Sequence, residues 1–174
     1  MKEGFFIGIF EIMKHNEAKL IADELISVLE PHCIRVEIAG SVRRKKENVK
    51  DIEICLVPKN KNKLFNILGL FLLKNNKDFK YFKNGDKYKQ FGFKGINIDM
   101  FIGNEDNWGL LFAVRTGPAE FSTKILSTWK KVTGGGYSKD GYLHDKEDKI
   151  FYTPEETDVF NLCKMEWVEP EFRN

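Results

Sequence analysis

The chain holds little cysteine, proline or histidine for its 174 residues, and it has no long hydrophobic run and no strong excess of either charge. Its three cysteines, Cys33, Cys55 and Cys163, are odd in number, lie far apart and fit no zinc spacing. That excludes a disulfide framework and leaves the expectation of reduced thiols in an intracellular protein. The three histidines, His15, His32 and His144, are unclustered and take no catalytic role. The most apolar run, Leu64 to Leu73, contains Asn66 and is too short to cross a bilayer, and no stretch has the layout of a signal peptide. A membrane partner is therefore not expected. There is also no internal repeat and no low-complexity segment.

What is present suits a globular protein: 42% apolar and 31% charged residues, on a chain long enough to bury a core. The net charge of +2 hides basic crowding at Arg43 to Lys50, Lys59 to Lys63 and Lys74 to Lys94. Such runs suit a polyanionic partner and a solvated surface equally well. Helical spacing of Ala18, Ile21, Ala22, Leu25, Ile26 and Leu29 predicts a helix from Glu17 that Pro31 ends. A second helix is expected over Lys59 to Leu73, and strands at Ile34 to Ala39, Val49 to Val57 and Ile96 to Ile102. Phe79 to Phe93 folds around the turn signal Asn84-Gly85 as an antiparallel meander whose aromatics serve the core. Beyond Asn104, helices are predicted at Trp108 to Val114 and Ala119 to Lys131, with a break at Thr116-Gly117-Pro118. Short strands follow within Tyr137 to Asp145 and Lys149 to Tyr152, then a helix over Pro154 to Leu162 capped by Thr153, with Glu155 and Glu156 suiting its dipole. Met1 to Phe10 is apolar and has no assignment. A lobe boundary is placed near Gly103 to Asn107.

The chemistry concentrates between Ala39 and Val57. Gly40-Ser41-Val42-Arg43-Arg44 is a small-residue turn that can bring backbone N–H groups, the Ser41 hydroxyl and the Arg44 guanidinium to one point, the inventory of an anion site. The strand after it carries Asp51 and Glu53 two residues apart, so both carboxylates share a face while Ile52, Ile54 and Leu56 enter the core. Acids beside an anion-binding turn suggest a magnesium site that handles a nucleoside triphosphate. Asp99, in the middle of another apolar strand, requires compensation for its desolvation, and ligating the same metal would supply it.

In this order the Gly40 to Arg44 turn, Asp51 and Glu53, Asp99, Thr116-Gly117 with the helix after it, and the tail from Thr153 to Arg173 resemble the family X DNA polymerases of the polymerase beta-like nucleotidyltransferase superfamily. The resemblance runs from about Glu17 onward and implies an α+β protein. A nucleotidyltransferase palm, a mixed or antiparallel sheet with helices on one face, would occupy residues 1–104, and a small α/β thumb lobe residues 105–174. It resembles a minimal palm-plus-thumb form without the family's amino-terminal lobes, as some large viruses and phages carry. The implied activity is template-directed addition of deoxynucleotides to a primer 3′-hydroxyl, in gap filling or repair, by a monomer acting on primed or gapped DNA. Asp51, Glu53 and Asp99 would hold two Mg2+ ions, with Mn2+ able to substitute. Gly40, Ser41 and Arg44 would grip the β- and γ-phosphates, Thr116 and Gly117 would sit against the sugar, and Lys124, Lys130 and Lys131 are candidates for nucleic-acid phosphates.

The chain departs from the family pattern at five positions. Glu53 stands where aspartate is usual, and its extra methylene would have to retract or shift a metal. Lys50 stands for the glycine before the first acid, and Ser122 for a base-contacting asparagine. The last of these keeps open a non-templated transferase acting on an RNA end, a protein or a small molecule. A nucleic-acid-binding module without catalysis is the third class, and acids at all three positions speak against it. Val114-Arg115 replaces the aromatic pair that screens the ribose 2′-hydroxyl, so Arg115 is expected to contact the nucleotide or primer. Weak sugar discrimination follows. Single-nucleotide addition with deoxy- and ribonucleoside triphosphates should give comparable rates, and strong rejection of ribonucleotides would contradict this.

Overall fold

The computed structural model describes residues 12–173. The unassigned stretch Met1 to Phe10 lies outside these residues. In chain order the first part contains β1 (Met13–Lys14), α1 (His15–Leu29), β2 (Cys33–Ile38), α2 (Gly40–Arg43), β3 (Asn48–Val49) and β4 (Asp51–Pro58). It continues with α3 (Lys61–Asn75), β5 (Lys83–Asn84), β6 (Tyr88–Phe93) and β7 (Ile96–Ile102). The second part contains α4 (Trp108–Thr116), α5 (Ala119–Val132), β8 (Tyr137–Lys139), β9 (Tyr142–His144), β10 (Ile150–Phe151) and α6 (Glu156–Leu162).

A five-stranded mixed sheet of order β2-β4-β7-β6-β5 organises the first part, and only the β4–β7 pair is parallel. One face is covered by α1 and α3. Ala18, Ala22, Leu25 and Leu29 of α1 and Leu64, Leu68 and Leu72 of α3 meet Ile52, Ile54, Leu56, Ile98 and Met100, which alternate inward from the central strands. The Asn60 side chain accepts from Lys63 N at 2.9 Å and starts α3. The expected meander is shorter than its aromatic pattern implied. Phe79 and Tyr81 lie outside the strands and pack edge-on to Phe91, at 5.9 and 5.7 Å between ring centroids, so burial fixes them instead of strand pairing.

The second part has its own core of Leu110, Phe121, Ile125, Trp129, Leu143, Val159 and Phe160. It docks on the helix-free face of the sheet, where Trp108 and Phe112 of α4 bury Cys55, Val57 and Phe101. The approach is close: a Cβ on Gly109 would lie 2.0 Å from the Glu155 carbonyl oxygen, so only glycine fits there. The cap of α6 differs from expectation. Glu155 caps the helix in a reciprocal box with Asp158, while Thr153 Oγ1 accepts from Leu110 N at 3.2 Å and so ties α6 to α4.

Glu156 is not a solvated acid of the first turn either; it is 6% exposed and holds two arginines. Arg43 of α2 approaches it in a two-pronged contact of 3.0 and 2.7 Å, and Arg173, 0% exposed, donates to it at 2.6 Å. Arg43 also covers the Phe112 ring at 3.7 Å and donates to Thr116 Oγ1 at 2.5 Å. Removing the acid leaves two desolvated guanidinium groups without their counter-charge. Glu156→Ala should therefore lower the unfolding free energy by about 3–5 kcal/mol. Urea titration measures this, and a loss below about 1 kcal/mol would match an exposed pair instead.

Candidate active site

The acids meet through strand register. Glu53 and Asp99 are direct partners across the parallel β4–β7 pair, and Asp51 lies one pleat before Glu53 on the same face. Glu53 and Asp99 open on a cleft of about 1010 Å³ that Tyr88, Gln90, Phe101 and Arg115 also help to line. Asp99 is 9% exposed and accepts from the Tyr88 hydroxyl, from Gln90 Nε2 at 3.0 Å and from Asn97 Nδ2 at 3.1 Å. Arg115 is exposed in the cleft, with its guanidinium 3.9 Å from the Phe101 ring centroid.

Next to the acids stands the α2 turn. Gly40 has φ +59°, and a Cβ on it would lie 1.5 Å from Glu53 Oε2. Glycine is required here twice over, for the backbone and for room. The Glu53 carboxylate is thus folded back against α2. Burial first and Asp51 second push its carboxyl up to about 7, against the pull of Arg44. Asp51 is raised as well, by burial and then by Asp99. Arg44 donates to the Thr116 carbonyl oxygen, and its Nη1 is 3.1 Å from where a Cβ on Gly117 would lie. Arg44 Nε and Ser41 Oγ are buried without a hydrogen-bond partner among the described residues.

Gly40 and Arg44 of the α2 turn, with Ser41 between them in sequence, and Thr116 and Gly117 are therefore joined into one wall beside Glu53, while Glu53, Asp99 and Arg115 line the cleft. Thr116 is fully buried, with its hydroxyl taken by Arg43. Lys124, Lys130 and Lys131 are exposed on α5, apart from this wall. Sequence reasoning missed the roles of Arg43, Glu156 and Arg173, and of Tyr88, Gln90 and Asn97. Adjacent arginines on one helical turn point about 100° apart, so a shared role for Arg43 and Arg44 was already disfavoured by geometry. The donors to Asp99 follow from register, since Gln90 pairs with Asp99 and Asn97 sits one pleat before it on the same face.

No protein-family model and no curated protein matches the sequence. A solved Leishmania infantum polymerase beta, in a ternary P/T complex, superposes with a TM-score of 0.74 over 98% of this chain and 79% of that chain, at 18% identity. The fold is polymerase beta-like. The five-stranded sheet with α1 and α3, and α4 to α6 with the small sheet, together make up that fold.

Among the described residues no three His, Cys, Asp or Glu side chains converge as a ready cage for a cation. The Glu53 carboxylate instead lies against Gly40. The donor chemistry nevertheless fits a hard divalent cation: carboxylate oxygens on neighbouring strands raise one another's proton affinity, a repulsion such a cation relieves. Asp51 and Asp99 would hold it, joined by Glu53 on leaving the α2 turn.

The sign of the Glu53 shift gives a stability prediction. A carboxyl raised from an ordinary 4.5 to about 7 binds its proton more tightly in the folded chain. Its contribution is fully present below the unfolded value and is lost as pH rises through 7. With metal chelated, the wild type should lose stability relative to Glu53→Gln between these values, by up to roughly 3 kcal/mol. Urea titrations of both proteins across that range check this, and Mg2+ should narrow the gap. A constant difference would contradict it.

Proposed function

We propose that this chain is a metal-dependent nucleotidyltransferase that adds deoxynucleotides to a primer 3′-hydroxyl under the direction of a template, in gap filling or repair. The observation that carries the reading is the Glu53–Asp99 register pair, with Asp51 alongside, set against a turn whose buried Ser41 Oγ and Arg44 Nε have no hydrogen-bond partner among the described residues. Unpartnered buried donors beside grouped acids suit a ligand that brings phosphate oxygens and a cation together. Residues 1–104 then act as the catalytic lobe and residues 105–174 as the lobe that covers the nucleotide.

Divalent cations at Asp51, Glu53 and Asp99 would supply the lowered pKa of the attacking hydroxyl and the charge stabilisation of the leaving group. The remaining work falls to the protein. The 3′-oxygen attacks the α-phosphorus, one P–O bond forms, the α–β bond breaks, and pyrophosphate leaves with the electron pair. Arg44 is fixed by the Thr116 carbonyl and lies next to Glu53 and Asp51, so its charge is in place before phosphate arrives. Ser41 Oγ can donate to the same phosphates. Arg115, stacked on Phe101 beside the acids, presents its fork to the nucleotide or primer sugar. Exposed Lys124, Lys130 and Lys131 meet nucleic-acid phosphates along α5.

One observation favours the non-templated alternative. Ser122 Oγ donates to the Val114 carbonyl at 2.7 Å, so the hydroxyl at the expected base-contacting position is turned inward. Extension of a one-nucleotide gap with Mg2+ decides between the readings. The proposed function requires insertion that follows the template base and falls to background in Asp99→Ala. Insertion that ignores the template base would favour the alternative, and no product with Mg2+ or Mn2+ would leave a nucleic-acid-binding module.

A further inference from the structure

Both oxygens of Asp99 are already engaged. Oδ1 accepts from the Tyr88 hydroxyl and from Gln90, and Oδ2 accepts from Asn97. A carboxylate oxygen has two lone pairs, so Oδ1 is filled and Oδ2 keeps one. All three donors are neutral, and none brings a charge that would compete with a cation. Tyr88 is itself held in place. Its ring stacks on Phe101 at 5.1 Å and 19°, and Lys83 Nζ lies 5.3 Å from its centroid. Phe101 in turn carries Arg115, so the aromatic pair is clamped between cations from β5 and α4. A partner locked by packing can orient a metal-binding carboxylate, whereas a loose one cannot.

We propose that Tyr88 is a positioning residue for cation ligation: together with Gln90 it fills Oδ1 of Asp99, so that this acid presents Oδ2 alone. The inference rests on the nucleotidyl-transfer reading above. It also bears on which cation the site prefers. A one-oxygen carboxylate suits a small octahedral ion, while Ca2+ accepts both oxygens of one carboxylate. By occupying Oδ1, Tyr88 disfavours chelation by Asp99 and with it the larger ion.

Binding of Mn2+ to the full chain, followed by the electron paramagnetic resonance of free Mn2+ with Ca2+ as competitor, tests this without turnover. Tyr88→Phe keeps the stacked ring and removes only the donor. Its Mn2+ affinity should fall about 10- to 100-fold, with the Ca2+-to-Mn2+ preference shifted toward Ca2+. In single-nucleotide addition, raised Mg2+ should recover much of the lost rate. Gln90→Met removes the other donor to Oδ1 and should shift both readouts in the same direction, which keeps the test available if Tyr88→Phe does not fold. Folded variants with wild-type Mn2+ affinity and preference would overturn the role of Tyr88 while leaving transfer by the wild type intact. A wild type that binds no Mn2+ and transfers no nucleotide would overturn both.

Discussion

Glu156 bonds the buried Arg173 and the half-buried Arg43 at once, and the geometry around the α2 turn depends on that contact. Arg43 comes from the turn that starts at Gly40, and Arg173 from the end of the described chain, so one carboxylate ties the first lobe to the last residues of the second. Desolvating three charges is costly, and the cost is offset only because the groups are close and hydrogen-bonded. Aromatic rings complete the enclosure, with Phe112 over Arg43 and Phe121, Phe160 and Trp167 around Arg173. Commitment of Arg43 to Glu156 and Thr116 leaves Arg44 free for the acids. Two identical side chains in sequence thus divide into an internal tie and a group whose charge faces Glu53 and Asp51.

The central strands carry both the site and the docking surface by simple alternation. Asp51, Glu53, Cys55 and Val57 share the helix-free face of β4. Glu53 lines the cleft, and Cys55 and Val57 lie under Trp108 and Phe112. On β7 the same face shows Asn97, Asp99 and Phe101. A rigid strand therefore fixes the distance between the acids and the second lobe, with no loop between them. Catalytic groups placed this way keep their geometry better than groups on loops.

The period-two and helical patterns were sufficient to locate the main strands, both long palm helices and the face that bears the acids, because burial imposes them locally. The short α6 illustrates what such patterns miss. Thr153 had the chemistry of a cap, but its hydroxyl serves α4, and Glu155 took the position with Asp158 as its partner. Likewise Phe79 and Tyr81 have strand chemistry yet are held by Phe91. These outcomes were decided by contacts distant in sequence, which no local pattern carries. Glu156 looked like an ordinary acid of a first turn, because the two arginines that bury it lie 113 and 17 positions away. The likeness to a solved polymerase beta is one of fold, and the reading of the site rests on these side chains themselves.

Glu53 joins the two halves of the site. Its carboxylate settles against α2 in the space that Gly40 leaves open, where Arg44 offsets part of its charge. That resting place belongs to the same turn that the proposed function assigns to phosphate. Like charges cannot share it, so a phosphate can enter only as Glu53 neutralises or leaves. Departure toward Asp51 and Asp99 raises the repulsion among the acids unless a cation is there to absorb it. Under the proposed function, cation and phosphate would therefore favour one another through a single side chain, Glu53.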